Sequence, residues 1–342
     1  MKRKNFTDND FSPEGGGAHL LRRTFLSVFG AAAVAGPRVA RAQLATNKTI
    51  RIIVPFAPAG SSDVLARVLQ APLQQELGQT IIVENRAGAG TNIGTSEVAR
   101  AEPDGLTLLL TSSAFVVNPA LYKSIPYDPF KDFAPIAALP VAPNVIAVNA
   151  KGDIKSLSEV VARAKADPAK LNYASPGNGT TPQLMMELLK LKAGVQITNI
   201  AYNGGGPATQ ALLTGTVDIL STALPGAQAQ VQAGVMRGLA ITTKERWPSL
   251  PDVPTLDEQG FADVALNTEH FLFAPSATPP DIVERLTKAA LAVLAQDSVQ
   301  ERVRGNGYLP IAGGPDAVKD RIAKNVPFFK DLVAKANIPQ IQ

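Results

Sequence analysis

Short apolar runs recur along this chain, each followed by a stretch with helical periodicity. The runs Ile50–Val54, Thr80–Val83, Leu106–Leu110, Val145–Val148, Ile197–Ala201, Val217–Leu220 and Leu239–Thr242 are rich in β-branched residues and read as buried strands. Helices are expected between them, over Ser62–Leu77, Asn92–Arg100, Leu157–Lys165, Gln183–Lys192, Pro207–Leu213 and Ala227–Gln232. Long amphipathic helices follow at Pro280–Ala295, Ser298–Gly305 and Asp316–Lys335. Strand and helix in alternation predict an α/β fold of parallel sheets covered on both faces.

Twice the pattern is interrupted by an uncharged turn of very small residues between a strand and a helix start. The segments are IRIIVPFAPAGSSD at Ile50–Asp63 and LNYASPGNGTTP at Leu171–Pro182. A helix N-terminus carries unpaired N–H groups and about half a positive charge, so an unobstructed one suits an anion, most simply a carboxylate. The candidate ligand contacts are therefore Ala59, Gly60, Ser61 and Ser62 in the first turn, and Ser175, Asn178, Gly179 and Thr180 in the second. Bulky side chains at Gly60 or Gly179 are expected to occlude the backbone donors. Thr111 and Ser112, followed by Ser113, leave the carboxyl end of the strand Leu106–Leu110, where ligands of open α/β sheets bind. Tyr202 and Ser221 sit just past other strand ends, and His270 falls at an expected hinge or cleft edge. Helix capping competes as an explanation for every hydroxyl here, and it accounts best for Asp63.

The first 42 residues change how the composition reads. Arg22 and Arg23 precede the apolar run Phe25–Ala35, and Ala40-Arg41-Ala42 offers the small residues a signal peptidase requires. This resembles a twin-arginine export signal cleaved between Ala42 and Gln43, giving a periplasmic product. The run is too short to cross about 30 Å of hydrocarbon, so a membrane-embedded chain is not expected. The whole chain has 33 basic and 29 acidic residues, whereas the part after residue 42 has 26 of each. Its basic balance therefore argues nothing for nucleic acid.

The 300 residues that remain exceed one ordinary core and suit two domains. Proline clusters at Pro135, Pro140 and Pro143, and at Pro248, Pro251 and Pro254, mark two expected crossings, near residues 143 and 264. One lobe would comprise residues 43–143 and 265–342, and a second lobe, 144–264, would be inserted between them. The two small-residue turns then belong to different lobes and can close on one solute.

Catalytic chemistry finds few residues. There is no cysteine, and His270 is the single histidine beyond residue 42, with no GxSxG elbow to accompany it. The stretch Gly88–Gly94 has the spacing GxGxxxG, and no acidic residue follows the next strand, so a tight turn without a dinucleotide is expected. No metal-ligand spacing is present, and no cofactor is expected. The alternative to a receptor is an enzyme acting on small carboxylic acids, suggested by Glu269 beside His270.

The chain also resembles the TctC-like, or Bug, family of periplasmic solute receptors of tripartite tricarboxylate transporters. The resemblance rests on IRIIVPFAPAGSSD at 50–63, VENRAGAGTNIGTSEVARAEPDGLTLLL at 83–110, NPALY at 118–122, PYDPFKDFAPIA at 126–137, LNYASPGNGT at 171–180, TGTVDIL at 214–220 and RWPSLPDVPTLDEQG at 246–260. It implies a two-lobed type II periplasmic-binding (Venus flytrap) fold: two doubly wound sheets joined by a hinge of two crossings. It also implies a monomer that grips a small carboxylate between opposed loops and passes it to a membrane permease or a sensor kinase. Three departures from the family pattern stand out. The first loop reads Ala59-Gly60-Ser61-Ser62 instead of carrying a double glycine, and these hydroxyls are expected to add two donors. Ser221-Thr222-Ala223 lacks the acidic residue that would face an amino group, so a mono- or dicarboxylate without one is expected. Thr268-Glu269-His270 stands where relatives often carry an aromatic residue.

Overall fold

The computed structural model describes residues 48–168 and 170–341. The expected leader, residues 1–42, and its cleavage at Gln43 lie outside the described residues. Two five-stranded sheets organise the chain. The first is formed by β1 (Ile50–Val54), β2 (Ile81–Asn85), β3 (Thr107–Ser112), β4 (Phe133–Ala142) and β10 (Thr268–Pro275). The second is formed by β5 (Asn144–Asn149), β6 (Asn172–Ser175), β7 (Thr198–Ala201), β8 (Ile219–Ala223) and β9 (Met236–Ile241). Their orders are β2-β1-β3-β10-β4 and β7-β6-β8-β5-β9.

Each sheet is a lobe with helices on both faces. Around the first lie α1 (Ser61–Leu77), α2 (Asn92–Ala99), α3 (Ala114–Leu121), α8 (Pro280–Leu294), α9 (Asp297–Gly305) and α10 (Pro315–Lys335). Around the second lie α4 (Leu157–Ala166), α5 (Thr181–Ala193), α6 (Gly205–Leu213) and the short α7 (Gln228–Gln232). Alternate residues of β3 divide between two cores: Leu108 and Leu110 pack with Leu65, Leu69 and Leu286, while Leu109 packs with Phe115 and Phe329. The second sheet is sandwiched in the same way, with Leu189 on one side and Leu212 on the other. Burial on both faces is why the inner strands β1, β3, β5 and β8 read as unbroken apolar runs, whereas the edge strands β2 and β7, also expected to be buried, are largely part-exposed.

Neither sheet is purely parallel, as the strand–helix alternation had led us to expect. Three parallel strands, β2-β1-β3 or β7-β6-β8, are extended by a fourth running the opposite way, β10 or β5, and a fifth beyond it. Both oppositely directed strands enter from the other sheet. Only Pro143 separates β4 from β5, and the chain returns to the first sheet at β10. Pro135 and Pro140, expected to mark a crossing, lie inside β4. This is an edge strand, where the missing N–H costs least.

The helix α3 was also unexpected, because Asn118-Pro119 reads as a breaker and the segment is buried all round, leaving no amphipathic period. Its Phe115 stacks on Tyr127 and Phe273 at 5.4 and 4.7 Å between ring centroids and meets Phe133 edge-on at 5.1 Å. This cluster joins α3, β4 and β10. Phe115→Ala is accordingly expected to destabilise the fold by about 3–5 kcal/mol, read from the shift in the urea midpoint.

Candidate functional site

Three helices begin where the two sheets face each other, and none has a side-chain cap. Gly60 precedes α1, and the first bond of that helix runs from the Val64 N–H to the Gly60 carbonyl at 2.9 Å. The N–H groups of Ser61, Ser62 and Asp63 therefore precede the helical ladder. Thr180 stands before α5, with Leu184 donating to its carbonyl at 3.0 Å, and Gly204 stands before α6, with Ala208 donating to its carbonyl at 3.3 Å. The third start, Asn203-Gly204-Gly205-Gly206-Pro207, repeats the small-residue turn of the other two. Its small residues were legible in the sequence, although Tyr202 is the one candidate contact from that region.

The turns touch across the lobes. The Ala57 N–H donates to the Asn203 carbonyl at 2.7 Å, joining the β1–α1 loop to the β7–α6 loop. A Cβ at Gly206 would lie 2.3 Å from the Pro58 carbonyl oxygen, and one at Gly179 would lie 2.3 Å from Asn118 Oδ1 in α3. Glycine at 179 is therefore required by the approach of the other lobe, whereas the sequence suggested that it keeps a donor uncovered. The Gly179 N–H is in fact spent on Gln183 Oε1, at 3.3 Å.

Between the turns a space of about 20 Å³ remains, lined by Gly60, Ser61, Ser62, Ser112 and Thr180 of the expected residues. Phe56, Pro176, Pro182, Gly205, Thr222, Ala223 and Thr268 complete it, and none of these described lining residues is charged. An adjoining space of about 10 Å³ shares Phe56, Pro176 and Thr180 and adds Asn178 and Tyr202. The remaining expected residues support the loops from behind. Ala59, at φ 66°, donates its N–H to Asp63 Oδ2 at 2.9 Å, and Asp63 is further held by Arg67 and Asn85, so it faces the loop. Ser175 Oγ donates to Asn199 Oδ1 at 2.9 Å, while Asn199 Nδ2 donates to Asn178 Oδ1 at 3.0 Å. Thr180 Oγ1 donates to the Gly177 carbonyl at 2.7 Å.

Two expected residues point elsewhere because of strand alternation. Thr111 turns opposite to Ser112, and its hydroxyl is buried without a hydrogen-bond partner. Ser221 Oγ donates to the Pro182 carbonyl at 2.8 Å, and its neighbour Thr222 lines the space instead. The period of two along β8 was the available signal for Thr222. Phe56, Thr268 and Ala223 left none, since only the meeting of the sheets brings them together.

His270 lies directly behind Ser61, fully buried in β10. Its Nδ1 is 2.9 Å from the Pro140 carbonyl and its Nε2 is 3.1 Å from Ser61 Oγ. The Tyr308 ring meets the imidazole edge-on, and the Tyr308 hydroxyl donates to the Ser61 carbonyl. Burial pushes the His270 pKa down to about 4, against which the bond to Pro140 acts. Glu269 projects from the opposite side of β10: its N–H donates to Ser113 Oγ at 2.9 Å, and its carboxylate meets Asn325 and Arg321. Burial raises the Glu269 pKa. The sequence neighbours Glu269 and His270 therefore do not act on one site. Among the described residues no group of acidic or histidine side chains could hold a metal ion, and no helix is long and apolar enough to cross a membrane.

The depressed His270 pKa gives a pH dependence of defined sign. An unfolded histidine titrates near 6.5 and the buried ring near 4, so between these values the unfolded chain binds the extra proton. Stability contributed by the neutral ring is lost as pH falls from about 6.5 towards 4. His270→Phe is expected to remove up to about 3 kcal/mol of that decline, measured by urea unfolding at a series of pH values.

Comparison with known proteins agrees with this architecture. The periplasmic binding protein BugD superposes with a TM-score of 0.82 at 33% identity, covering 86% of this chain and 99% of its own. An R. palustris protein determined with adipate gives 0.82 at 31% identity over 86% and 98%. MatC from Rhodopseudomonas palustris with bound malate gives 0.77 at 32% identity over 83% and 98%. Residues 65–338 match the model of the tripartite tricarboxylate transporter family receptor, TctC. The chain belongs to that family.

Proposed function

We propose that this chain is a periplasmic receptor that captures a small mono- or dicarboxylate without an amino group in the cleft between its lobes, for uptake or sensing. The observation that carries the reading is the convergence of three uncapped helix N-termini on one space with no charged lining residue. Three like-signed dipole ends held close together repel, and an anion between them replaces that repulsion with attraction. A carboxylate is therefore rewarded for drawing the lobes together. Without a lining acid an ammonium group would be left uncompensated, which favours plain or hydroxylated acids over amino acids. Adipate and malate, the molecules named with two relatives, are acids of this kind.

The remaining space of about 20 Å³ has room for little more than a water-sized solute, so a dicarboxylate enters only if the lobes separate. The moving bodies would be residues 43–143 with 265–342, and residues 144–264, turning about the segments near 143 and 264. The chain would be exported through its twin-arginine leader, act as a monomer, and hand its ligand to permease subunits or a sensor kinase.

The Ser61–His270 contact is the one observation that favours an enzyme. The proton on Nδ1 faces a carbonyl instead of a carboxylate, and a ring with pKa about 4 is a weak base, so the pair lacks an activated nucleophile. Thermal shift and calorimetry over aliphatic and aromatic carboxylates should find an acid that binds without turnover. Saturation a hundredfold above Kd should add about 2.7 kcal/mol of apparent stability. Turnover of an acid with no stable binding would overthrow the reading. Gly206→Val, at a position whose φ suits any residue, should weaken binding by about tenfold or more, because the new side chain meets the Pro58 carbonyl and holds the lobes apart.

A further inference from the structure

The proton of the Ser61 hydroxyl is already committed. A carbonyl oxygen only accepts hydrogen bonds, so the His270 nitrogen facing Pro140 is the one that carries the ring proton. The ring is wholly buried, and its polar neighbours are the Pro140 carbonyl, Ser61 and the edge of Tyr308. Among the described residues no carboxylate bonds to it to stabilise a second proton, and burial keeps it neutral. Nε2 then offers a lone pair, and the contact at 3.1 Å requires that Ser61 Oγ donate. Tyr308 holds the same residue through its carbonyl.

Ser61 lines the cleft, so a ligand that reaches its hydroxyl oxygen meets lone pairs only. The sequence suggested that both serine hydroxyls donate to a carboxylate; for Ser61 the buried imidazole removes that option. A carboxylate oxygen against Ser61 Oγ would set lone pair against lone pair, whereas a ligand O–H finds an acceptor already oriented. An ammonium group would also find the acceptor but no counter-charge among the lining residues.

We propose that His270 is a positioning residue that fixes Ser61 as a hydrogen-bond acceptor, and that the cleft thereby selects hydroxycarboxylates over the same acids lacking the hydroxyl. The inference rests on the carboxylate-receptor reading and names the ligand class within it. The test is calorimetry of the full chain with matched acids of three to six carbons with and without a hydroxyl, succinate and malate among them, alongside Ser61→Ala and His270→Phe. In the unaltered protein the hydroxy acid of the bound pair should bind about tenfold more tightly, the effect of one hydrogen bond to a neutral group. In both variants the ratio should fall to within about twofold. Nitrogen-15 NMR of the imidazole should show His270 protonated at Nδ1 alone at neutral pH, leaving Nε2 as the acceptor of the Ser61 proton.

A ratio at or below one in the unaltered protein, or a preference that survives Ser61→Ala, overturns the proposal and leaves the receptor reading standing. Should His270→Phe not fold, Ser61→Ala and the NMR tautomer decide the matter. Failure of every acid to bind overturns both readings together.

Discussion

Everything at this site depends on backbone meeting backbone across two lobes. The Ala57 N–H reaches the Asn203 carbonyl, and Gly206 and Gly179 lie against Pro58 and Asn118 with no room for a Cβ. Such closeness leaves the N-termini of α1, α5 and α6 around one small space, and it leaves no side chain long enough to carry a compensating charge into it. The uncharged lining follows from that packing constraint. An arginine or lysine would hold the lobes apart.

The two sheets prepare this meeting by sharing one topology. In each, three parallel strands end towards the cleft and pass into helices, and a strand arriving from the other sheet runs back alongside. The parallel strands supply helix starts at their carboxyl ends. The returning strands supply something different: β10 brings Thr268 to the space and sets His270 behind Ser61. A purely parallel sheet would have had no strand from which to support the α1 turn in that way.

Polar groups around the cleft are largely occupied with one another, and this shapes what remains for a ligand. Ser175, Asn178 and Asn199 form one chain of hydrogen bonds, Thr180 closes on Gly177, and Asp63 gathers Ala59, Arg67 and Asn85. These bonds fix the loops so that the unspent groups, chiefly backbone N–H donors, keep their directions. Preorganisation of this kind lowers the ordering cost of binding.

Apolar runs, small-residue turns and an absence of cysteine were properties of the sequence alone, because local geometry and composition suffice to read them. They yielded the α/β architecture and the turns at Gly60 and Thr180. The antiparallel β10 and the buried α3 escaped, since proline and asparagine obscured elements whose stability comes from neighbours such as Phe115 and Phe273. Which face Thr111, Ser221 and Thr222 present depends on strand register, and a shift of one residue reverses it. The reversal of Ser61 from donor to acceptor lay furthest beyond the sequence. It arises because residues 61, 140 and 270, remote along the chain, meet in the fold, where a carbonyl and burial together decide where a single proton resides.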